Sequence, residues 1–140
     1  MILLDTDHCS VLFDERDKRH NILVGRLEEC LQPIVLPVVV ANEVLRGILA
    51  MIHKESDLSK KLWPYSRLSK LLNALGKVGI TDFDVSALTV ALEFRSRKLG
   101  VGTNDLCIAA IAVATNSMLL TRNTKDFRLF TELHTENWLE

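Results

Sequence analysis

Four acidic residues, spread along the whole chain, are the side chains whose type and placement could do chemistry: Asp5, Glu43, Asp105 and Asp126. Carboxylates crowded into one pocket repel one another and raise each other's pKa values unless a divalent cation neutralises them. Oxygen ligands without cysteine or histidine favour Mg²⁺ or Mn²⁺ over Zn²⁺. A water on such an ion can attack a phosphodiester in line while the ion polarises the phosphoryl oxygens. If the four acids share a pocket, they therefore predict metal-dependent phosphodiester hydrolysis.

Each acid also has an ordinary structural explanation. Asp5 can form a turn after a strand, Asp105 suits a helix N-terminus, and Asp126 suits a loop. Glu43 can be a solvated helix position, but it lies among apolar residues from Val38 to Leu45, and Asp105 begins an almost wholly apolar segment. Partly buried carboxylates need partners, and a metal ion is one candidate.

Neither the cysteines nor the histidines indicate a metal site or a disulfide framework. The three cysteines are odd in number, widely spaced and without a Cys-x-x-Cys pair: Cys9, Cys30 and Cys107. This usage fits a reducing cytoplasm. The four histidines lack His-x-x-x-His spacing and are expected to be surface or hydrogen-bonded polar residues: His8, His20, His53 and His134. We assign no ligand role to any of them.

Length and composition predict a single domain over residues 1–140, because 140 residues with 48% hydrophobic content suffice for one core. Seventeen basic and eighteen acidic residues leave a net charge of −1. No global field attracts nucleic acid, so RNA contact requires a local patch. The longest apolar runs, Pro33–Ala41 and Cys107–Ala114, are far shorter than the roughly 20 residues that span a bilayer. We expect no membrane segment, no signal peptide and a cytoplasmic protein.

The elements that must position the acids alternate between strands and helices. Short apolar runs without polar alternation predict strands buried on both faces at Ile2–Leu4, Ile34–Leu36 and Met118–Leu120. Further strands are expected near Val78–Thr81 and, with a weaker pattern, Leu133–Thr135. An α/β sandwich follows, with a central parallel sheet of about 4 or 5 strands flanked by helices.

Helices are predicted from apolar stripes and capping residues. Stripes spaced by three and four run from Ile22 to Leu31 and from Leu58 to Leu75. Asp84 can cap a helix over Val85–Leu99 that stops at Gly100. Thr103 or Asn104 can cap a last apolar helix that Asn116 ends.

This arrangement brings the acids toward one edge of the sheet. Asp5 follows the first strand and Asp126 lies in the loop after the Met118–Leu120 strand, so both belong at the carboxyl edge, where open α/β sheets bind ligands. Glu43 and Asp105 lie early in helices and can add carboxylates from two helix N-termini.

Four motifs carry a resemblance that spans nearly all of the chain: Leu3-Leu4-Asp5-Thr6-Asp7, Asn42-Glu43-Val44, Asn104-Asp105-Leu106 with Ile108-Ala109-Ala110, and Leu120-Thr121-Arg122-Asn123-Thr124-Lys125-Asp126-Phe127. In their order and spacing the chain resembles a PIN-domain ribonuclease, and most closely the VapC toxins of type II toxin–antitoxin pairs. The resemblance implies a PIN-like three-layer sandwich and a Mg²⁺ or Mn²⁺ pocket whose ligands are the four acids. It also implies endonucleolytic RNA cleavage, a homodimer and inhibition by a small DNA-binding antitoxin.

Residues beside the acids have open roles. Thr6 and Thr121 can hydrogen-bond a carboxylate or a metal-bound water, or be ordinary strand-end threonines. Asn123 can contact the site or only shape its loop. Family members often have Asn or Ser where this chain has Asp7, which can bind the ion through water, support a ligand or lie on the surface.

Basic residues near the acids are candidates for contact with RNA or an antitoxin. Arg46 lies one helical turn beyond Glu43, and Arg122 and Lys125 flank Asn123 near Asp126. A guanidinium can bind a phosphate or pair with an acid, while a solvated face explains the same residues.

Two other functions remain open at this point. Asp5-Thr6-Asp7 after a strand also resembles the nucleophile and acid pair of a haloacid-dehalogenase-type phosphatase, although Asp126 lacks the acidic neighbour which that family expects. A PIN-like module that binds RNA or an antitoxin without cutting it is the second alternative, but it does not require all four acids.

Overall fold

Five short strands form one sheet in the computed structural model, which describes all 140 residues. They are β1 (Ile2–Leu4), β2 (Ile34–Pro37), β3 (Gly79–Thr81), β4 (Met118–Leu120) and β5 (Thr135–Glu136). The order across the sheet is β3-β2-β1-β4-β5, and every neighbouring pair is parallel. The predicted parallel sheet is therefore confirmed, and the weakly patterned last strand lies slightly later than expected.

Seven α-helices and one short 3₁₀-helix connect the strands. The α-helices are α1 (Thr6–Leu12), α2 (His20–Glu29), α3 (Val38–Lys54), α4 (Leu62–Leu75), α5 (Val85–Ser96), α6 (Thr103–Ala114) and α7 (Thr124–Phe127), and the 3₁₀-helix is Leu58–Lys61. Right-handed crossovers place α1 to α4 on one face of this sheet and α5 and α6 on the other. In agreement, α1 packs on α3 and α5 packs on α6.

The main core lies between the sheet and both helical layers and contains 23 buried residues. Strand β1, at the centre of the sheet, is completely buried, as its unbroken apolar sequence predicts. Helix α6 buries Ala109, Ala110 and Ala112, whose small side chains allow its backbone to lie close to the sheet. No helix combines the length and apolar character that a membrane crossing requires.

Three local predictions need correction. The sequence did not indicate α1, which begins directly after β1, with the Asp5 side chain as its N-terminal cap. Asp126 lies in the one-turn helix α7 rather than in a loop. Helix α5 ends at Ser96, earlier than Leu99, because Lys98 and then Gly100 adopt left-handed backbone conformations with φ of 53° and 73°.

The apolar stripe from Leu58 to Leu75 is not one helix with a buried face. It divides into the 3₁₀-helix and α4, whose third residue is Pro64, a residue that the first turn of a helix tolerates. Leu71 is buried, but Leu62 and Tyr65 are 79% and 51% exposed. Much of this stripe is therefore surface rather than core.

We propose that residues 1–140 fold as one domain, and the core predicts how they unfold. Phe94 is 1% exposed, and its ring centroid lies 4.6 Å from that of Phe130. Phe94→Ala should lower the free energy of unfolding by about 3–5 kcal/mol. Near-ultraviolet and far-ultraviolet circular dichroism should report one coincident transition.

The matched control is Leu92→Ala on the same helix, where the side chain is 59% exposed. Its effect should stay within about 0.5 kcal/mol. Two separate transitions, of which Phe94→Ala shifts only one, would contradict the single domain.

Candidate active site at the carboxyl edge of the sheet

The site begins where the strand order reverses. Strand β1 lies between β2 and β4. The connection after β1 leads toward β2 and the connection after β4 leads the opposite way toward β5, so a crevice opens between them at the carboxyl ends. The backbone N–H of Asp5 donates to the carbonyl of Leu120 at 3.0 Å, which extends the β1–β4 pairing by one residue. Asp5 and Thr121 are therefore neighbours, and the Thr121 hydroxyl donates to Asp5 Oδ2.

Asp5 is nearly buried, with 8% of its surface exposed. Burial raises the pKa of its carboxyl group to about 6, and the charges of Asp7 and Asp105 act in the same direction. Hydrogen bonds from the Thr121 hydroxyl and from the Asp7 backbone N–H, the latter at 3.0 Å, oppose that rise. The same Asp7 contact caps α1, so one carboxylate both begins this helix and faces the crevice.

Asn123 links two further acids to the end of β4. Its side-chain nitrogen lies 3.3 Å from Asp105 Oδ2 and 3.1 Å from Asp126 Oδ2. Its backbone N–H donates to the Thr121 hydroxyl oxygen at 3.0 Å. A chain of hydrogen bonds therefore runs from Asp5 through Thr121 and Asn123 to both Asp105 and Asp126.

Glu43 reaches the same region from the second turn of α3. Its Oε1 accepts a hydrogen bond of 2.8 Å from the side-chain amide of Asn104, and its Oε2 accepts one from the Thr6 hydroxyl. The sequence predicts Asn104 as a possible helix cap and as part of a family motif, but it does not predict this contact with Glu43. A polar amide directly before Asp105 was the available signal.

The electrostatics of the cluster are those of uncompensated acids. Burial raises the pKa of Asp105 above its usual value, and the charges of Glu43, Asp126 and Asp7 raise it further. No Lys or Arg side chain forms an ion pair with any of the five acids. All their direct side-chain partners are neutral hydroxyl or amide groups.

The donor set suits a hard divalent cation, because it consists of carboxylate oxygens without cysteine or histidine. As the side chains stand, however, no three His, Cys, Asp or Glu residues form a group that could hold one ion. Hydroxyl and amide groups donate hydrogen bonds to the carboxylate oxygens that would coordinate an ion. The Asn123 amide can also turn over and present its oxygen, since the two orientations are assigned from hydrogen bonding. The chemistry fits a metal ion, and binding one requires the side chains to turn toward each other.

The structure brings only some of the predicted residues together. Thr6, Thr121 and Asn123 contact the acids, as described. Asp7 is exposed and contributes its backbone N–H and its charge. The predicted basic residues are all exposed and form no hydrogen bond or ion pair with the cluster: Arg46, Arg122 and Lys125.

His8 differs from the expectation of a surface or fully hydrogen-bonded histidine. It is completely buried in α1, its Nε2 accepts from the Trp138 backbone N–H at 3.1 Å, and its Nδ1 has no partner. Burial lowers the pKa of His8 to about 4, and the positive charges of Arg122 and Arg19 add to the effect. His8 therefore joins α1 to the C-terminal segment as a neutral ring.

The fold and the site together define a class of protein: a parallel α/β sheet with a cluster of acids at its switch point. Residues 2–133 match the family model described as PIN domain, and the chain belongs to this family.

The relatives identify the branch of the family that the chain resembles. It is 30% identical over 141 residues to the protein named Ribonuclease VapC2 from Rickettsia felis, covering 97% of this chain and 96% of that protein. The structure of VapBC2 from Rickettsia felis bound to a promoter DNA fragment matches with a TM-score of 0.76 and 28% identity, over 99% of both chains. The predicted resemblance to VapC and the PIN-like fold are confirmed.

More distant structures share the fold. VapBC-1 from nontypeable Haemophilus influenzae matches with a TM-score of 0.78 at 22% identity, over 100% of both chains. DNA-bound VapBC from Salmonella typhimurium matches with a TM-score of 0.77 at 19% identity, over 98% of this chain and 97% of that one.

The buried His8 predicts a defined pH dependence of stability. In the unfolded chain the ring takes up a proton near pH 6.5, whereas in the folded chain it stays neutral to about pH 4. The unfolded state binds more protons in this window, so stability is lost as pH falls through it. Relative to His8→Gln, the wild type should lose about 3 kcal/mol of unfolding free energy between pH 7 and pH 4.

Urea denaturation at several pH values measures this difference. Glutamine can still accept from Trp138 but does not titrate, and His53→Gln at an exposed position of α3 is the control. The pKa of Asp5 is raised, so its ionisation changes stability in the opposite direction over this pH range. Because Asp5 is present in the wild type and in every variant, the difference between their pH profiles reports on His8 alone. Parallel pH profiles for His8→Gln and wild type would contradict the role of the buried ring.

Proposed function

We propose that this protein is a Mg²⁺- or Mn²⁺-dependent endoribonuclease that hydrolyses RNA phosphodiester bonds. The observation that carries the proposal is the cluster of acids without cationic partners at the switch point of the sheet. Membership of the PIN domain family and similarity to a protein named Ribonuclease VapC2 support the same activity.

In this proposal the ion is held by Asp5, Glu43, Asp105 and Asp126. When bound, a divalent ion stabilises negative charge on phosphoryl oxygens and lowers the pKa of water. Neutral donors are well suited to orient the ligands, because they fix carboxylate oxygens without cancelling the charge that attracts the ion. Thr121 and Asn123 have this role for Asp5, Asp105 and Asp126.

Glu43 is oriented separately, by Thr6 and Asn104. Both donors lie next to other acids of the cluster, since Thr6 follows Asp5 and Asn104 precedes Asp105. A movement of α3 would therefore disturb the whole pocket.

The surrounding charges have secondary roles in the proposal. Asp7 adds negative potential from the surface without a direct side-chain contact to the cluster. Arg122 and Lys125 are exposed beside Asn123 and can receive the phosphates of an approaching RNA, and Arg46 can do the same beyond Glu43.

The proposal includes a partner. Several solved structures that share this fold are VapBC toxin–antitoxin complexes, some of them bound to DNA. By similarity we propose that this chain is the toxin of a type II pair, that a small DNA-binding antitoxin inhibits it, that it forms a homodimer and that it acts in the cytoplasm.

Two other functions make different predictions. A haloacid-dehalogenase-type phosphatase would be phosphorylated on Asp5 by small phosphate esters, but the match of residues 2–133 to the PIN domain disfavours it. A non-cleaving binding module would hold RNA or antitoxin with or without the four acids.

RNA cleavage by wild type and Asp5→Asn tests the proposed activity. The substitution preserves the shape of the side chain and removes its charge, so cleavage with Mg²⁺ or Mn²⁺ should fall by about 100-fold or more. Asp82→Asn is the matched control, because Asp82 also directly follows a strand but is exposed at the end of β3. Gel analysis of fragments from a mixture of cellular RNAs, with and without EDTA, measures the effect.

Equal cleavage by wild type and Asp5→Asn would refute the role of Asp5. Binding of RNA with no cleavage under either ion would favour the non-cleaving module. Phosphorylated Asp5 would restore the phosphatase hypothesis.

Asn104→Ala and Thr121→Val test whether neutral donors orient the ligands. Each removes one hydrogen bond to a carboxylate, and Mn²⁺ affinity should fall by about 10- to 100-fold. Mn²⁺ electron paramagnetic resonance measures free ion directly, independently of cleavage. Asn42→Ala, at an exposed position beside Glu43, is the control and should bind Mn²⁺ as the wild type does. Unchanged affinity in the two test variants would limit their role to folding.

A further inference from the structure

A groove leads away from the acidic cluster across the surface of α1, α3 and α4. Thr6 and Glu43, which are hydrogen-bonded to each other, line one end of a cavity of about 360 Å³. From there the lining runs along α3 to Met51, and Trp63 and Arg67 of α4 line the far end. This volume is within the range of about 300–1,000 Å³ that ligand pockets occupy. We call this cavity the Trp63 groove.

Two arginines are fixed beside the indole of Trp63. The guanidinium carbons of Arg16 and Arg67 lie 4.4 and 5.0 Å from the ring centroid. Asp14 Oδ1 accepts a hydrogen bond from Arg16 Nε at 3.1 Å, and Asp14 Oδ2 forms an ion pair with Arg67 Nη1 at 3.2 Å. The Arg16 side chain is 63% exposed and keeps further N–H donors for a ligand, whereas the Arg67 side chain is 18% exposed. Asp14 therefore orders both cations without using up the hydrogen-bonding capacity of Arg16.

The path continues beyond Trp63 into a second cavity of about 210 Å³. Asp14, Trp63 and Arg67 line both cavities, while Arg16 and Lys70 line only the second one. Three cationic residues here face two acidic ones, Asp14 and Glu15, which leaves an excess of one positive charge. The two cavities are therefore adjacent: one begins at the carboxylate of Glu43, and the other ends at the positive charges beyond Trp63.

We propose that the Trp63 groove binds the single-stranded RNA segment adjacent to the cleaved phosphate. This inference rests on the proposed ribonuclease function and adds to it the path of the substrate. A base can pack on the apolar wall and against the exposed part of the indole, and the next phosphates reach Arg16, Arg67 and Lys70.

The chemistry of the groove favours an RNA strand over a protein segment. Aromatic rings with neighbouring arginines bind single strands because every base has a face that can stack, whatever its sequence. Paired bases already stack on one another, so unpaired segments are the ones that can enter. An apolar peptide would fill the apolar wall but would bring no anionic group to the excess positive charge that Arg16, Arg67 and Lys70 leave beyond Trp63.

The fluorescence of Trp63 tests the proposal directly. The chain has two tryptophans, so Trp138→Phe leaves Trp63 as the only one, and Asp5→Asn prevents cleavage during the measurement. Titration with a single-stranded oligouridylate of about 12 nucleotides should quench Trp63 emission. A duplex RNA of the same length should quench it much less.

Affinity measurements on variants in the Asp5→Asn background complete the test. Trp63→Leu should weaken binding of the same RNA by about 5- to 100-fold through loss of stacking. Arg16→Gln should lower the slope of log affinity against log salt by about 0.7, because one phosphate contact is lost. Tyr65→Leu is the matched control, an exposed aromatic residue on the same helix that does not line the groove, and should bind RNA normally.

Several results would overturn the proposal. If RNA binds without changing the fluorescence of Trp63, it does not follow this groove. The same conclusion holds if RNA binds with equal affinity to Trp63→Leu and Tyr65→Leu. If Trp63→Leu fails to fold, an unchanged salt slope in Arg16→Gln, whose side chain is 63% exposed, refutes it equally well. If the fluorescence emission of Trp63 does not change with RNA but shifts when the chain is co-purified with its antitoxin, the groove binds protein rather than RNA.

These failures can be distinguished from failure of the proposed function. If the wild type cuts RNA while the groove variants in the Asp5→Asn background bind RNA with normal affinity, only the proposed RNA path is refuted and the ribonuclease proposal stands. A wild type that cuts no RNA with either ion refutes the function itself.

Discussion

The parallel pairing of β1 with β4 is the contact on which the site depends. Its register sets Leu4 opposite Leu120 and so makes Asp5 and Thr121 neighbours at the carboxyl edge. Strand order reverses at this pair, and the other residues that contact the acids or belong to them lie in or directly before the first turn of α1, α6 and α7 and in the second turn of α3. Each of those helices brings an acid or a neutral donor to the same place. A shift of β4 by one residue would turn Thr121 to the other face of the sheet and separate Asp5 from Asn123.

Neutral donors rather than cations hold the acids together. Hydroxyl and amide groups fix the carboxylates of Asp5, Glu43, Asp105 and Asp126 without bringing a positive charge to them. Burial raises the pKa values of Asp5 and Asp105, and the charges of neighbouring acids add to the rise. An arginine in the same position would neutralise the pocket and lower its attraction for a metal ion. The pattern agrees with membership of the PIN domain family and with the proposed metal-dependent cleavage.

Helix α4 contributes few residues to the core and leaves most of its side chains on the surface, where Trp63 and Arg67 line the proposed RNA path. Its buried residues are Pro64 and Leu71, while Trp63 remains 39% exposed between cations that Asp14 holds in place. The ion pair of the exposed Arg16 side chain adds little to stability. The consequence of the two ion pairs is geometric, because they fix two guanidinium groups at the outer end of a groove whose inner end is the acidic cluster. The proposed path of RNA follows from this continuity.

Features that depend on local pattern could be predicted from the amino-acid sequence. Unbroken apolar runs gave β1, β2 and β4, the apolar segment after Thr103 gave α6, and strand-end position gave Asp5 its place at the carboxyl edge. These predictions succeeded because burial on both faces of a sheet leaves a signal within a few residues.

Long-range packing, by contrast, sets which residues support the acids and which surface remains exposed. Asn104 and Glu43 are 61 residues apart in the chain, and no local pattern relates them. The spacing of Leu58, Leu62 and Tyr65 predicts an apolar face equally well whether that face is buried or exposed. Helix α1 was missed because its seven residues are too few for a periodic signal, and its cap, Asp5, also fits a strand end. Periodicity records the conformation of a segment, whereas long-range packing decides what that segment contacts.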